Sequence, residues 1–201
     1  MNKKIYLLPL LLLALIFVSC EETKEATKFD NWRARNEGYI DSLKTVFDEK
    51  TDPELKAFAP GINPKLRIYY KDKTPADREL GDQPFYTDSV EVFYRGYYIF
   101  GESFDGNFTG SQPNPDFDVP LKCYVDPFKS TTQTSAYISV ISGWGETLQR
   151  MKVGQHWIIY LPYEMGYGTK DKDKIPGYST LIFDIQLQRI VHELSLIHIS
   201  E

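Results

Sequence analysis

The feature that most constrains the fold is a regular alternation of apolar and polar side chains late in the chain. Residues 181–188 read LIFDIQLQ, so that the side chains at 181, 183, 185 and 187 are all apolar. A period of two places these side chains on one face of an extended chain, which is typical of a half-buried antiparallel strand. Other strand-like runs occur at residues 66–70, 90–97 and 157–161. The chain therefore contains a sheet.

A short helix is predicted at residues 144–151, before the last two strands. Trp144, Leu148 and Met151 share one helical face, and Gly154 is placed to end the helix with a left-handed cap. Several antiparallel strands around a single helix predict an α+β domain, which we assign to residues 61–192.

A second helix is predicted at residues 29–49, within a segment of tether and helix at residues 20–60. Asp30 is a plausible N-cap, and Asp52-Pro53 ends the pattern. Residues at spacings of three and four fall near one largely apolar face, namely Trp32, Asn36, Tyr39, Leu43, Val46 and Phe47. Acidic and basic residues flank this face equally, which favours docking on the following domain over lying on a membrane.

The amino terminus has the pattern of an export signal. Lys3 and Lys4 precede an apolar run at residues 5–18, which is too short to span a bilayer but suits a signal peptide at residues 1–19. The run ends in FVSC, which resembles a lipobox, so we expect lipidation at Cys20. Glu21 and Glu22 resemble the acidic export signals of Bacteroidetes surface lipoproteins. We expect a bacterial envelope lipoprotein anchored to the outer membrane on its periplasmic or surface face. An ordinary secretory signal followed by a chance cysteine is the alternative.

Charge and composition exclude several classes of function. The net charge is −5, and removal of residues 1–19 would take away two lysines and no acidic residue, leaving −7. There is no basic block, so nucleic acid is not an expected partner. The histidines, His156, His192 and His198, are scattered, and no metal or other cofactor is expected. If Cys20 is lipidated, Cys123 has no partner within the chain for a disulfide.

Four segments, in order along residues 66–191, resemble the FKBP-type peptidyl-prolyl cis-trans isomerases. They are VFYRG at 92–96, SFD at 103–105, VISGWGETL at 140–148 with Met151 and Gly154, and a last segment. That last segment runs from Leu161-Pro162 through Tyr167-Gly168 and Ile175-Pro176 to TLIFD at 180–184. Each piece is weak by itself, but their order and spacing make the combination specific.

The resemblance implies a twisted antiparallel sheet wrapped around one short helix, and prolyl isomerisation of polypeptide substrates by a monomer. It implies catalytic roles for Tyr94, Phe104, Asp105, Trp144, Tyr167 and Phe183, and substrate binding by Val140, Ile141 and Ile175. Trp144 would form the floor of an aromatic pocket, with Tyr94, Phe104 and Phe183 as its walls. The backbone N–H of Ile141 and the hydroxyl of Tyr167 would bind peptide carbonyls. Core packing alone would also explain Trp144, Tyr94 and Phe183, and Asp105-Gly106 is also an ordinary hairpin turn pair.

Residues 107–139 depart from the family pattern, because family members join the flanking segments by far fewer residues. This insertion contains the chain breakers Gly110, Pro113, Pro115, Pro120 and Pro127. We expect it to be partly ordered against the pocket mouth, where it would cap, extend or disable the pocket. Phe117 and Phe128 compete for the next aromatic wall, and no basic partner for Asp105 is identified.

Three functions follow from these features. The first is an isomerase that assists the folding of exported proteins, and the second is a binding module that holds proline-containing peptides without turnover. The third is an envelope scaffold that acts through the N-terminal helix. Residues 193–201 resemble translated sequencing-adapter sequence, and we assign them no function.

Overall fold

The computed structural model describes residues 27–132 and 135–191. The predicted signal peptide, Cys20 and the tail at residues 193–201 lie outside this part of the chain. Internal contacts divide the chain into residues 1–30 and residues 31–201. Of the first unit only residues 27–30 are described, and they form a turn in which the Asp30 carboxylate accepts hydrogen bonds from Thr27.

The described residues of the second unit form one seven-stranded antiparallel sheet with two α-helices. Its strands are β1 (Leu55–Phe58), β2 (Ile68–Asp72), β3 (Ser89–Tyr97), β4 (Ser103–Gly106), β5 (Leu121–Tyr124), β6 (His156–Leu161) and β7 (Leu181–Val191). Their order is β1-β2-β6-β7-β3-β4, and β5 also pairs with β3. The helices are α1 (Trp32–Asp48) and α2 (Ser142–Leu148). This is the α+β fold that the sequence predicted, with β1 as a strand that the sequence pattern did not indicate.

Both helices differ from the predicted ones at their ends. The N-cap of α1 is Asn31, in a left-handed conformation with φ 52°, so the prediction of Asp30 was wrong. Helix α2 ends at a C-cap at Gln149, and the prediction of Gly154 as its cap was also wrong. Gly154 does have a φ of 90°, but its N–H donates to Leu187 O at 2.8 Å, in the turn that leads into β6. Its left-handed conformation therefore serves the sheet rather than the helix.

Helix α2 packs on the inner face of the sheet. The register places Trp157 opposite Ile185 and Ile159 opposite Phe183, and these side chains are buried. A Cβ atom on Gly143 would lie 2.7 Å from Leu161 Cδ1 and 2.9 Å from the carbonyl oxygen of Met165. Glycine at this position therefore allows the first turn of α2 to approach the sheet closely.

Helix α1 packs on the outer face of the sheet. The ring of Tyr39 lies 6.3 Å from that of Tyr160 on β6, and the ring of Phe47 lies 6.0 Å from that of Tyr69 on β2. The helix is thus docked on the domain, as its balanced charge predicted. None of the helices in the described part of the chain is long and apolar enough to cross a membrane.

The insertion begins on the same outer face, against β3. Phe108 is buried at an edge-on angle to Phe93, and the guanidinium of Arg95 lies 4.3 Å from the Phe108 ring. Arg95 Nη1 also donates to Gly110 O at 3.0 Å, while Nη2 lies 3.3 Å from Asp184 Oδ2. These contacts hold the start of the insertion against β3.

A single side chain fills the gap between β4 and β5 along the edge of β3. Asn107 Oδ1 accepts a hydrogen bond from Tyr94 N at 2.8 Å, and Asn107 Nδ2 donates to Val92 O at 3.0 Å and to Val119 O at 3.1 Å. The amide thus replaces the strand partner that β3 lacks between β4 and β5. The insertion is attached at its first residue to the strand that carries Tyr94.

Candidate active site

A cavity of about 250 Å³ lies between α2 and the sheet. It is lined by Tyr94, Asp105, Leu121, Ile138, Ser139, Val140, Ile141, Trp144, Tyr167 and Phe183. All the predicted pocket residues line it except Phe104 and Ile175. The cavity is slightly smaller than the ~300–1,000 Å³ typical of drug-sized ligand sites, so it is suited to one or two residues of a peptide.

The aromatic centre of the cavity is Trp144, which is buried on α2. The ring of Tyr94 stands edge-on to it at 5.0 Å, and the ring of Phe183 does so at 5.2 Å. Edge-to-face packing is favourable for aromatic rings and fixes their orientation. The three rings therefore form a rigid apolar surface to which β3, α2 and β7 each contribute one ring.

Phe104 lies behind Phe183 rather than in the lining. It is buried at 5.7 Å from Phe183 and 5.1 Å from Tyr98. A Cβ atom on Gly96 would lie 2.6 Å from the Phe104 ring and 2.9 Å from the Phe183 ring, so only glycine leaves room for both. Phe104 supports the wall that Phe183 forms.

Ile175 is buried in a closed loop at residues 168–178. It exchanges two backbone hydrogen bonds with Lys172, at 2.8 and 2.9 Å, and the base of the loop is closed by Tyr178 N donating to Gly168 O at 2.9 Å. The side chain of Ile175 is therefore part of the packing of this loop and lies outside the cavity lining. Tyr167, immediately before the loop, does line the cavity.

Asp105 and Tyr94 form a hydrogen-bonded pair at the edge of the cavity. Tyr94 donates its hydroxyl to Asp105 Oδ2 at 2.8 Å, and the N–H of Gly106 donates to Oδ1 at 2.8 Å. Burial and the hydrogen bond to Asp105 raise the pKa of Tyr94, so this phenol stays protonated and remains a donor. No cation of the described residues lies within 4 Å of Asp105, and its contacts are with neutral groups.

The pair Asp105-Gly106 ends strand β4, so its reading as a hairpin turn was wrong. The turn between β3 and β4 is made by Gly101, which has a φ of 85°, and its N–H donates to Tyr98 O at 2.9 Å. The position of Asp105 in a strand directs its carboxylate to Tyr94.

Besides the buried indole N–H of Trp144, two hydrogen-bond donors that line the cavity have no acceptor among the described residues. One is the backbone N–H of Ile141, at the N-cap of α2, and the other is the hydroxyl of Tyr167, whose side chain is 40% exposed. Burial and, secondarily, the charges of Asp105 and Asp173 raise the pKa of Tyr167, which keeps its hydroxyl protonated. Both groups are available to a carbonyl of a bound peptide.

The insertion forms one wall of the cavity with aliphatic side chains. Leu121 of β5 and Ile138 line it, and the backbone of Ile138 bonds to β5 on both sides, through Tyr124 N at 3.0 Å and Lys122 O at 3.1 Å. Phe117 and Phe128 are 83% and 68% exposed, and neither is in the lining. Neither Phe117 nor Phe128 therefore forms an aromatic wall of the cavity, and the prediction that one of them would was wrong. No sequence signal indicated Ile138, because its position depends on its backbone pairing with β5.

A larger cavity, of about 490 Å³, lies between α1 and β2. Its lining mixes acidic and basic side chains with Ile40, Phe47 and Tyr69, and none of the predicted pocket residues lines it. No cluster of three or more His, Cys, Asp or Glu side chains in residues 27–132 and 135–191 is arranged to hold a metal ion.

Comparison with known proteins identifies the family. Residues 81–188, more than half of the chain, match the sequence profile described as FKBP-type peptidyl-prolyl cis-trans isomerase. The chain belongs to this FKBP-type family. The cavity described above lies within the matched segment, whereas α1, β1 and β2 precede it.

Relatives and solved structures agree with this assignment. The chain is 32% identical over 139 residues to the peptidyl-prolyl cis-trans isomerase Mip of Coxiella burnetii, covering 69% of this chain and 48% of that protein. It is 33% identical over 112 residues to the FKBP-type 22 kDa peptidyl-prolyl cis-trans isomerase of Escherichia coli, covering 55% and 45%. A crystal structure of a peptidyl-prolyl cis-trans isomerase from Pseudomonas syringae superposes with a TM-score of 0.53 at 27% identity, covering 78% of this chain and 96% of that one. The chain thus spans about half of the length of each of these two curated relatives.

Proposed function

We propose that this FKBP-type domain is a peptidyl-prolyl cis-trans isomerase that acts on proline-containing polypeptides. The observation that carries the proposal is the combination of a rigid aromatic cavity on Trp144 with two unpaired donors, Ile141 N–H and Tyr167 O–H. Membership of the FKBP-type family supports the same reaction.

The chemistry of prolyl isomerisation requires neither a nucleophile nor a metal. Rotation about the prolyl bond breaks amide resonance, at a barrier of about 18–20 kcal/mol. In the twisted transition state the carbonyl is less polar, so the amide loses less on leaving water for an apolar surface. A cavity that binds the twisted amide more tightly than the planar one lowers the barrier. A preference of about 4–5.5 kcal/mol gives an acceleration of roughly a thousand- to ten-thousandfold.

The residues of the cavity would divide this task. Trp144, Tyr94 and Phe183 would hold the proline ring and exclude water, while Ile141 N–H and Tyr167 O–H would anchor carbonyls on either side. Asp105 would orient the Tyr94 hydroxyl through the 2.8 Å hydrogen bond. Phe104 would act indirectly, by fixing Phe183.

The direct test is isomerisation of a proline-containing tetrapeptide by the protein that begins after Cys20. We expect acceleration well above the uncatalysed rate, and a fall of about two- to tenfold in kcat/KM for Tyr167→Phe, which removes one hydrogen bond. Tyr178→Phe is the matched control, because it removes a phenol from the neighbouring loop outside the cavity lining. A cooperatively folded wild-type protein without any catalysis would leave the non-catalytic binding module as the better proposal.

Asp105→Ala should lower kcat/KM more than Tyr167→Phe does. It frees the Tyr94 hydroxyl from its acceptor and allows the phenol to turn away from its present orientation. Asp105 is exposed, so the melting temperature should change by no more than about 2 °C. Rates measured on the tetrapeptide, together with thermal unfolding, separate the two effects. Wild-type activity in the Asp105→Ala variant would remove Asp105 from the proposed machinery.

We further propose that the protein is a lipid-anchored envelope lipoprotein that assists the folding of exported proteins. The signal-like residues 1–19 and the lipobox-like FVSC support attachment at Cys20. Metabolic labelling with a lipid precursor should mark the wild type, and Cys20→Ala should lose the label. Cys123 is the internal control, since it is fully buried and burial raises its pKa to about 12, so Cys123→Ala should retain the label. Equal labelling of the wild type and Cys20→Ala would contradict a lipid anchor.

A further inference from the structure

The loop at residues 168–178 is closed at its base, while its residues 169–174 are exposed. Its base is the hydrogen bond from Tyr178 N to Gly168 O, and Gly177 N donates to Asp171 Oδ1 at 2.8 Å within it. Tyr167, which lines the cavity, lies directly beside the base. Tyr178 is therefore joined to Tyr167 through Gly168, which bonds to Tyr178 N and directly follows Tyr167 in the chain.

Helix α1 binds the chain immediately after this loop. Trp32 Nε1 donates to Ser179 Oγ at 3.0 Å, and Ser179 Oγ in turn donates to Pro176 O at 2.5 Å. Asn36 is fully buried, and its Oδ1 accepts from Thr180 N at 2.7 Å. Thr180 Oγ1 also donates to the carbonyl of Asn36 at 3.1 Å. The first turns of α1 thus hold Ser179 and Thr180 by buried hydrogen bonds.

The same helix is also linked to the loop indirectly, through the aromatic ring of Tyr98. Trp32 stands edge-on to Tyr98 and to Phe100, each at 5.9 Å. Tyr98 donates its hydroxyl to Lys174 O in the loop at 2.7 Å and packs on Phe104 at 5.1 Å. Trp32 is therefore linked both to the loop beside Tyr167 and to Phe104, the residue that supports the Phe183 wall.

We propose that Trp32 and Asn36 are positioning residues for the isomerase pocket, acting from a helix that lies outside the segment matched by the family profile. They hold the loop at residues 168–178 in the orientation that presents the Tyr167 hydroxyl to a bound peptide. This inference rests on the proposed isomerase function for its catalytic consequence. The placement of the loop by α1 can be measured independently of catalysis.

The catalytic test is a double-mutant cycle between Trp32→Phe and Tyr167→Phe, with the tetrapeptide as substrate. Trp32→Phe retains a ring but loses the N–H that Ser179 accepts, and it should lower kcat/KM about three- to tenfold. In the Tyr167→Phe background the same change should lower it by less than about twofold, because the hydroxyl that it positions is already absent. Equal losses in the two backgrounds, or no loss in either, would overturn the proposal.

The control is Phe47→Leu, at the other end of α1. Phe47 contacts Tyr69 on β2, so this change weakens the docking of the helix without touching residues 174–180. It should lower the melting temperature and leave kcat/KM within about twofold of the wild type. If Phe47→Leu lowers kcat/KM as much as Trp32→Phe does, general loosening of α1 explains the effect and the proposal is overturned. Ser179→Ala, which breaks the same contact from the loop side, replaces Trp32→Phe should the latter fail to fold.

Amide hydrogen exchange separates failure of this inference from failure of the proposed function. In Trp32→Phe the amides of Lys172 and Tyr178, which bond within the loop, should exchange faster than in the wild type and in Phe47→Leu. Unchanged exchange would overturn the positioning role even in an active enzyme. Faster exchange in a protein whose wild type lacks isomerase activity would retain the positioning role and refute only the proposed function.

Discussion

Replacement of Trp144 by leucine is expected to lower kcat/KM for prolyl isomerisation by about ten- to a hundredfold, while the protein still folds. Leucine keeps an apolar side chain on α2 but removes the flat indole against which Tyr94 and Phe183 pack edge-on. The cavity would then be wider and its walls less fixed, so the preference for the twisted amide would fall by about 1.4–2.7 kcal/mol. Rates on the tetrapeptide at saturating and subsaturating concentrations measure the effect.

Trp157→Leu provides a matched control for this change. Trp157 is another buried tryptophan, stacked on Tyr70 at 4.1 Å, and it lies outside the cavity lining. In both indoles Nε1 has no hydrogen-bond partner among the described residues, so each substitution removes the same chemical group. Each should cost about 2–4 kcal/mol of unfolding free energy, but only Trp144→Leu should impair turnover. Activity that falls in proportion to stability in both variants would show that Trp144 has only a packing role.

The parts of the fold that were predictable are those with a local sequence signal. Strand β7 alternates over residues 181–188 and α2 carries apolar side chains at helical spacing, so each was predicted to within about three residues of its ends. Strand β1 was not predicted, because LKAF is short and its side chains do not alternate. It is formed through pairing with β2, which local pattern does not report.

Site residues were predictable from sequence where they belong to a characteristic motif. They were not predictable where only the tertiary structure brings them to the cavity. The resemblance placed Tyr94, Trp144, Tyr167 and Phe183, and the structure brings these four around one cavity. Ile138 has no distinctive neighbours in sequence, and its place in the wall depends on its backbone pairing beside β5.

The position of α1 against residues 179 and 180 was equally hidden from sequence. Trp32 and Asn36 read as members of an apolar helical stripe, which predicts burial but not the surface that is covered. Their partners are more than a hundred residues away in sequence, as the buried bonds to Ser179 and Thr180 show.

A second large effect, on stability, is expected for Asp184→Asn. The carboxylate is bound from two sides, by Arg95 Nη2 at 3.3 Å and by His156 Nε2 at 2.7 Å, and its side chain is only 14% exposed. An ionised carboxylate only accepts hydrogen bonds, so His156 donates here. Asparagine keeps the shape but removes the charge and one acceptor, which leaves Arg95 half-buried without its counter-ion. We expect a loss of about 2–4 kcal/mol in the free energy of unfolding by urea at pH 7.

Glu91→Gln is the control on the same pair of strands. Glu91 is bound by Arg189, with Nη2 at 2.6 Å from Oε1, and the Glu91 side chain is only 11% exposed, but the Arg189 side chain is 63% exposed. Arg189 can therefore be solvated by water when Glu91 loses its charge, and the loss of this pair should cost no more than about 1 kcal/mol. Similar losses in the two variants would show that the burial of Arg95, the cationic partner of Asp184, does not add to the effect.

The acid sensitivity of the protein should change with Asp184→Asn. Burial opposes ionisation of Asp184, but the hydrogen bonds and charges of His156 and Arg95 outweigh it and hold the pKa of this carboxyl below its usual range. A lowered pKa in the folded state means that the unfolded chain takes up the proton first as the pH falls. The stabilisation by Asp184 is therefore complete at pH 5 and declines as the pH drops below about 4 toward the folded-state pKa. Urea unfolding at pH 5, 4 and 3 should show the wild type and Asp184→Asn converging, and a difference that stays constant down to pH 3 would contradict this assignment.

The same substitution should loosen the start of the insertion, because Arg95 connects the two. Its guanidinium is held by Asp184 on one side, while on the other it donates to Gly110 O and covers the buried ring of Phe108. Once residue 184 is neutral, Arg95 lacks its counter-ion and is held less firmly at the sheet surface. Limited proteolysis should then cleave residues 107–119 several times faster than in the wild type. Asn107 still bonds to the backbone of Val92 and Tyr94 on β3, so the cavity and the tetrapeptide activity should be preserved. Loss of activity in step with proteolysis would instead mean that the outer-face contacts of the insertion also maintain the wall that Leu121 and Ile138 form.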